Sequence, residues 1–155
     1  MNFKIENYNI SNENSVFFIA DIGANHNGNL NKAIDLINLA SEAGANAIKF
    51  QHFKAESIVS DHGFKTLPKE DKSSHQSKWK KSVFEIYKDA SIDLNWTQKL
   101  KEECNKLGVV FFTSPYSLEL VDYIDKYVDA YKIGSGDINW LEIIEKIARK
   151  NKPTF

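Results

Sequence analysis

Cysteine is almost missing from this chain. Cys104 stands alone, so no internal disulfide can form, and a cytosolic, cytoplasmic location is the natural reading. Cys104 sits among Leu100, Leu107 and charged residues in a helical pattern, which predicts a half-buried structural thiol rather than a nucleophile. No run approaches the roughly 18 apolar residues of a membrane span. The opening Met1-Asn2-Phe3-Lys4-Ile5-Glu6 lacks the long apolar core of a signal peptide. Neither charge sign is in excess, and the formal net charge is -1. That gives no electrostatic case for nucleic acid or an acidic membrane surface as a partner. The four histidines, His26, His52, His62 and His75, show no metal-ligand spacing such as an i, i+4 pair on a helix. His26 is the one expected to face a pocket.

What is present is 155 residues, 42% hydrophobic and 26% charged, enough for one globular domain with a sizeable core. Residues 1–15 form an N-terminal segment. Phe3 to Ile10 alternates apolar and polar, which predicts a short hairpin, and Ser11 to Ser15 is a polar turn. The continuous apolar run Val16-Phe17-Phe18-Ile19-Ala20 predicts a strand buried on both faces. A glycine-bearing loop, Asp21 to Gly28, follows it. Asn29 is placed to cap a helix whose Leu30, Ala33, Ile34, Ile37 and Ala40 recur at helical spacing, and Gly44 to end it. A second strand runs from about Ala47 to Phe53, with Ala47, Lys49 and Gln51 on one face. Strand, helix and strand with short links make a βαβ unit and a parallel pair.

Lys54 to Ser77 reads as a long polar loop, expected to cover a site and to help choose its substrate. Helical spacing returns over Trp79 to Lys88. Asn95 and Gln98 resemble a capping box for a helix from Trp96 to Leu107, closed by Gly108. Val109-Val110-Phe111-Phe112 predicts a third strand, Leu118, Val121 and Ile124 a helix, and Val128 to Ile133 a fourth strand. Asn139 and Glu142 resemble another capping box, before a helix bearing Leu141, Ile144, Ile147 and Ala148. Lys152 to Phe155 looks like the entry to a fifth strand. Alternating strands and helices imply a parallel α/β fold. A doubly wound sheet and a (β/α) barrel both remain open. A full barrel takes about 250 residues, so on that reading residues 16–155 are the front part of one, truncated inside an apolar strand.

The polar residues gather at the carboxyl ends of these strands. They are Asp21 with Asn25 and His26, then Lys49 and Gln51, then Thr113 and Ser114, then Lys132, Ser135 and Asp137. In parallel α/β folds ligands bind at that edge. Two lysines, several hydroxyls and Gly134-Ser135-Gly136 suit a phosphate, and Asp21 and Asp137 add acid–base capacity. Carboxylates and lysines would offset one another's charge without a ligand. A single strand-end lysine is explained by snorkelling, and a lone Gly-Ser-Gly by a tight turn. Agreement at four successive strand ends favours a site for a small anionic substrate.

These residues also carry a family resemblance. The segments Ile19 to Gly28, Ala43 to Gln51, Thr113-Ser114-Pro115-Tyr116 and Tyr131 to Asp137 resemble those of the sialic acid synthases, the N-acetylneuraminate synthase family with its legionaminate and pseudaminate relatives. The resemblance runs from about Val16 to Phe155. It implies a (β/α)8 TIM barrel that condenses phosphoenolpyruvate with an N-acetylated hexosamine such as N-acetylmannosamine. A nine-carbon 2-keto sugar acid forms and phosphate leaves. It further implies a divalent metal (Mn or Mg), a full-length homodimer, and a role in sialic acid or surface polysaccharide biosynthesis.

Residue by residue, the resemblance assigns Lys49, Lys132, Ser114 and Ser135 to phosphoenolpyruvate and Gln51 to the amino sugar. Asn25 and Tyr116 fall to substrate binding. Asp137 is implied to act on the attacking water and Asp21 on the sugar's aldehyde end, so Asp21, Lys49 and Asp137 are the expected catalytic residues. Many relatives carry Glu at both aspartate positions, a departure read as a subgroup feature. The family's metal-binding histidines are expected beyond Phe155, so no metal ligand is assigned in this chain. Alternatives are a truncated, inactive barrel remnant, or another phosphoenolpyruvate-dependent 2-keto acid synthase.

Overall fold

Asn29 starts the first long helix as its sequence predicts. Its side-chain oxygen accepts the Lys32 amide at 3.0 Å and opens α1 (Leu30–Glu42). Gly44, at φ +90°, and later Gly108, at φ +69°, take the left-handed conformation that ends a helix. The computed structural model describes residues 2–66 and 79–155. Its strands are β1 (Phe3–Ile5), β2 (Tyr8–Ile10), β3 (Ile19–Gly23), β4 (Ala47–His52) and β5 (Val110–Pro115). The helices after α1 are α2 (Ala55–Ile58), α3 (Asp61–Thr66), α4 (Val83–Ala90), α5 (Thr97–Lys106), α6 (Leu118–Ile124) and α7 (Leu141–Ala148).

β1 and β2 form an antiparallel hairpin. β3, β4 and β5 form a parallel sheet in that order. Single parallel bridges carry the order onward, from Thr113 to Tyr131 and from Tyr131 to Thr154. Chain order and spatial order therefore coincide without reversal. A doubly wound sheet reverses at its switch point, whereas a barrel advances in one direction. The fold is the first portion of a (β/α)8 barrel.

Three expectations shift. The first strand begins at Ile19 rather than Val16, and Val16 and Phe18 lie 70% and 62% exposed. The reason is the partner. β4 begins at Ala47, which pairs with Ile19, while the Asn46 and Ala47 amides both donate to the Phe18 carbonyl. The fourth strand shrinks to the bridge at Tyr131. The expected loop after Lys54 holds α2 and α3 as far as Thr66; its remainder, with Lys78, lies outside the described residues.

Two capping boxes also fail to form. The chain enters α5 through a 3-10 turn, Leu94–Trp96, capped by Asp93 rather than Asn95. At α7 the cap is Trp140, whose indole N–H donates to Glu142. A true capping box appears at Ser82 and Glu85, opening α4.

The sheet has two faces. Ile48, Phe50 and His52 of β4 share one with Phe111, Thr113 and Pro115 of β5. On it Phe50 packs against Phe111 with ring centroids 5.8 Å apart. Both rings are fully buried, each contributing about 1.5–3 kcal/mol. Cys104 is fully buried too, rather than half-buried, and burial pushes its thiol up to about 12. The opposite face carries Lys49 and Gln51 beside Phe112 and Ser114. At its base Phe112 stacks on Phe155, and Phe155 meets Phe3 of the hairpin. Glu6, between β1 and β2, is tied to α5 by a 2.7 Å ion pair with Lys101.

Candidate functional site

Lys49 is 7% exposed, and its ammonium meets Asp21 Oδ2 at 2.9 Å. The two are direct neighbours in the β3–β4 register. A buried cation needs such a partner, and the pair gives the charge offset expected from the sequence. Asp21 remains open to solvent, with 63% of its side chain accessible, so the Lys49 charge is met by a group that can move.

β3 is bulged between Asp21 and Gly23. Gly23 sits at φ +56°, and a Cβ there would come 3.3 Å from Gln51 Oε1 and 3.4 Å from Asp21 Oδ1. The glycine therefore lets the Gln51 amide lie beside the ion pair. Gln51 Nε2 donates to Tyr116 Oη at 2.9 Å. Next to Gln51 in the ladder is Ser114, buried, whose hydroxyl has no hydrogen bond of ordinary geometry among the described residues.

Tyr116 joins this group to a second one. Gly134 lies against it, and a Cβ on Gly134 would meet Asp137 Oδ2 at 2.9 Å and Tyr116 Oη at 3.3 Å. A larger residue there would push the Asp137 carboxylate aside. Ser135–Asp137 form one 3-10 turn, closed by the Asp137 amide bonding to the Gly134 carbonyl at 3.0 Å. Burial raises the Asp137 carboxyl above its usual range. Burial also raises the Tyr116 phenol, against the Gln51 hydrogen bond and with the help of the Asp137 and Asp21 charges. A cleft of about 520 Å³ opens over these residues, lined by Tyr116, Ser135 and Asp137 together with Ser57, Ile58, Tyr87 and Trp140.

The structure thus brings Asp21, Lys49, Gln51, Ser114 and Tyr116 into one line, and Tyr116, Ser135 and Asp137 into the adjoining cleft. Lys132 turns its ammonium back onto the Ile133 carbonyl. Asn25 is exposed and spends its amide on the Ile22 carbonyl at 3.0 Å. Two expectations are overturned. His26 is fully buried rather than open to a pocket. It is buried against Phe50 and Trp96, Nδ1 accepts the Gly28 amide at 3.1 Å, and burial with the Lys32 charge lowers its pKa. Thr113 is a hydroxyl of the other face, because strand alternation separates it from Ser114; it pairs with His52 at 2.9 Å. Ser57, Ile58, Tyr87 and Trp140 escaped sequence reasoning. Tyr87 was legible only as part of an apolar helix stripe, and Ser57 lies in a stretch read as loop. Among the described residues no group of three or more His, Cys, Asp or Glu side chains is placed to hold a metal ion.

The NeuB family matches residues 36–155, and the chain belongs to it. The chain is 32% identical over 149 residues to pseudaminic acid synthase of Campylobacter jejuni, covering 95% of this chain and 42% of that one. It is 35% identical over 135 residues to N,N'-diacetyllegionaminic acid synthase of the same species, covering 86% and 39%. The N-acetylneuraminic acid synthetase of Leptospira borgpetersenii superposes with a TM-score of 0.80 at 28% identity, over 99% of this chain and 48% of that one. The chain therefore spans less than half the length of these relatives. Members of the family are synthases of sialic acid-type sugar acids.

Proposed function

We propose that this chain supplies the phosphoenolpyruvate and sugar-aldehyde portion of a sialic acid-type synthase. Phosphoenolpyruvate and an N-acetylated hexosamine condense, and a 2-keto sugar acid and phosphate leave. The observation that carries the reading is Lys49, an ammonium drawn to 7% exposure on the same face as a buried Ser114 hydroxyl that makes no hydrogen bond of ordinary geometry among the described residues, though it lies against the Tyr116 phenol. A buried donor held by no well-formed bond favours an external acceptor, and a phosphate or carboxylate supplies it. The names of the relatives, synthases of pseudaminic and legionaminic acids, favour the same class.

In this reading Lys49, Ser114, Lys132 and Ser135 hold the phosphoenolpyruvate anion, and Gln51, Asn25 and Tyr116 meet the amino sugar. The enol carbon forms a bond to the open-chain aldehyde carbon, whose oxygen takes a proton from solvent water passed on by the exposed Asp21 carboxyl. Water then adds to the resulting cationic centre, giving up a proton to Asp137. The carbon–oxygen bond to phosphate breaks and the ketone remains. Held cations stabilise the phosphate charge throughout. A divalent Mn or Mg ion belongs to the same proposal, and among the described residues no cluster of three or more His, Cys, Asp or Glu side chains is placed to hold it. The full-length form is proposed to act in the cytoplasm as a homodimer. No helix among the described residues is long and apolar enough to cross a membrane.

Calorimetric titration of the chain with phosphoenolpyruvate tests the reading, with saturable binding in the micromolar to millimolar range expected. Phosphate release against a panel of acetamido sugars then identifies the second substrate. Failure to bind phosphoenolpyruvate, or binding unaffected by Lys49→Met, would overturn the proposal.

A further inference from the structure

His52 follows Gln51 in β4 but points to the other face, and nothing in the proposed reaction uses it. Its ring is fully buried. Nδ1 shares a 2.9 Å hydrogen bond with Thr113 Oγ1 of β5, and Nε2 another with Thr97 Oγ1 at the start of α5. Both threonines are also fully buried. Consecutive residues of β4 therefore hold the end of β5 and the residue just after it from opposite faces. Gln51 takes Tyr116, and His52 takes Thr113. Between them lies Ser114, buried and with no hydrogen bond of ordinary geometry among the described residues. The β4–β5 ladder ends at His52 and Pro115, and one further backbone bond, from the Tyr116 amide to the His52 carbonyl at 3.0 Å, carries the pairing just past it, so the side-chain bonds add to the last backbone bonds where the site begins.

We propose that His52 is a positioning residue, which through Thr113 fixes the end of β5 so that Ser114 and Tyr116 face the ligand, with Thr97 anchoring the ring to α5. The role rests on the proposed phosphoenolpyruvate site. A neutral imidazole suits it, because one ring nitrogen donates while the other accepts. Burial, and then the His26 charge, hold its pKa down at about 3, so the ring keeps this form across the physiological range.

The two bonds can be separated. His52→Asn keeps a polar atom near the Nδ1 position and retains the Thr113 bond. His52→Gln reaches toward the Nε2 position and retains only the Thr97 bond. Each gives up one of the two His52–threonine bonds, so both are expected to lose some thermal stability. The expected result is phosphoenolpyruvate affinity within about threefold of wild type for H52N, and at least tenfold weaker for H52Q. Amide hydrogen exchange at residues 113–116 should quicken at least tenfold in H52Q and little in H52N. Should H52Q fail to fold, Thr113→Val breaks the same bond from the other end and should give the same two changes. Equal affinities and equal exchange in the two variants would overturn the positioning role. If wild type does not bind phosphoenolpyruvate, the substrate reading fails, and the exchange pattern alone decides whether His52 holds the strand end.

Discussion

The Gln51 side-chain amide donates to the Tyr116 hydroxyl at 2.9 Å, across 65 positions of sequence. This bond joins the line of charged and polar groups on β3 and β4 to the cleft around Asp137. Because the phenol oxygen is accepting, its own proton remains available to a ligand.

Tyr116→Phe removes that acceptor and leaves a half-buried amide unpaired. Sugar-dependent turnover in the full-length synthase should fall by about 1–3 kcal/mol of binding, seen as a raised KM for the acetamido sugar. Phosphoenolpyruvate affinity measured by calorimetry should move little. A change confined to phosphoenolpyruvate would reassign Tyr116 to the anion.

Gly134 has φ -65° and ψ 145°, which any residue adopts. Gly134→Ala therefore brings no backbone strain, and its effect comes from a Cβ at 2.9 Å from Asp137 Oδ2. The carboxylate must move by several tenths of an ångström or more. About a hundredfold loss of kcat is expected, as a displaced catalytic group gives, with a melting temperature close to wild type. Normal turnover would show that the Asp137 position is not critical.

Asp21 and Lys49 should respond unequally to loss of the partner. Lys49→Met leaves Asp21 in solvent, so stability should change by about 1 kcal/mol or less, while phosphoenolpyruvate binding disappears. Asp21→Asn leaves a buried ammonium without its counter-charge and should cost more, about 1–3 kcal/mol. Urea unfolding of the two variants at pH 7 measures the difference, and a costlier Lys49→Met would refute the assignment.

Acid should unfold the chain early. The folded pKa of His52 is lowered from 6.5 to about 3, so the unfolded state binds a proton first. Its contribution is present above pH 6.5 and is lost as pH falls toward 3, by about 1.4 kcal/mol per unit within that window. His26, also lowered, acts in the same sense. Asp137, raised by burial, acts in the opposite sense within the carboxylate range. Urea midpoints between pH 7 and 4.5 should fall steeply in wild type and less steeply in His52→Asn. Parallel slopes would show that His52 is not the titrating group.

Much of the fold is legible in single residues. Asn29, Gly44 and Gly108 mark helix ends because their local chemistry acts within a few positions. The alternation of Ala47, Lys49 and Gln51 against Ile48 and Phe50 follows from the pleat alone. The start of β3 does not follow from its apolar run, because Val16 and Phe18 are as hydrophobic as Ile19 and only the reach of β4 separates them. The boxes at Asn95 and Asn139 fail for a related reason. A capping pattern states what a helix start can use, and the preceding 3-10 turns decide where the helix starts.

Sequence alone determined the parallel α/β class and the roll of polar strand-end residues, while the unreversed strand order that marks a barrel came from the structure. The class and those residues depend on periodicity and on chemistry local to each strand. Tertiary structure decided which of them meet. It put Asp21 on Lys49 and Gln51 on Tyr116, left Ser114 buried with no well-formed hydrogen bond among the described residues, turned Thr113 and His26 to the far face, and added Tyr87, Trp140 and Ser57 to the cleft. The physical reason is register. Sliding a strand by one residue exchanges its faces, and the register between β3, β4 and β5 is set by packing over the whole sheet rather than by any one segment.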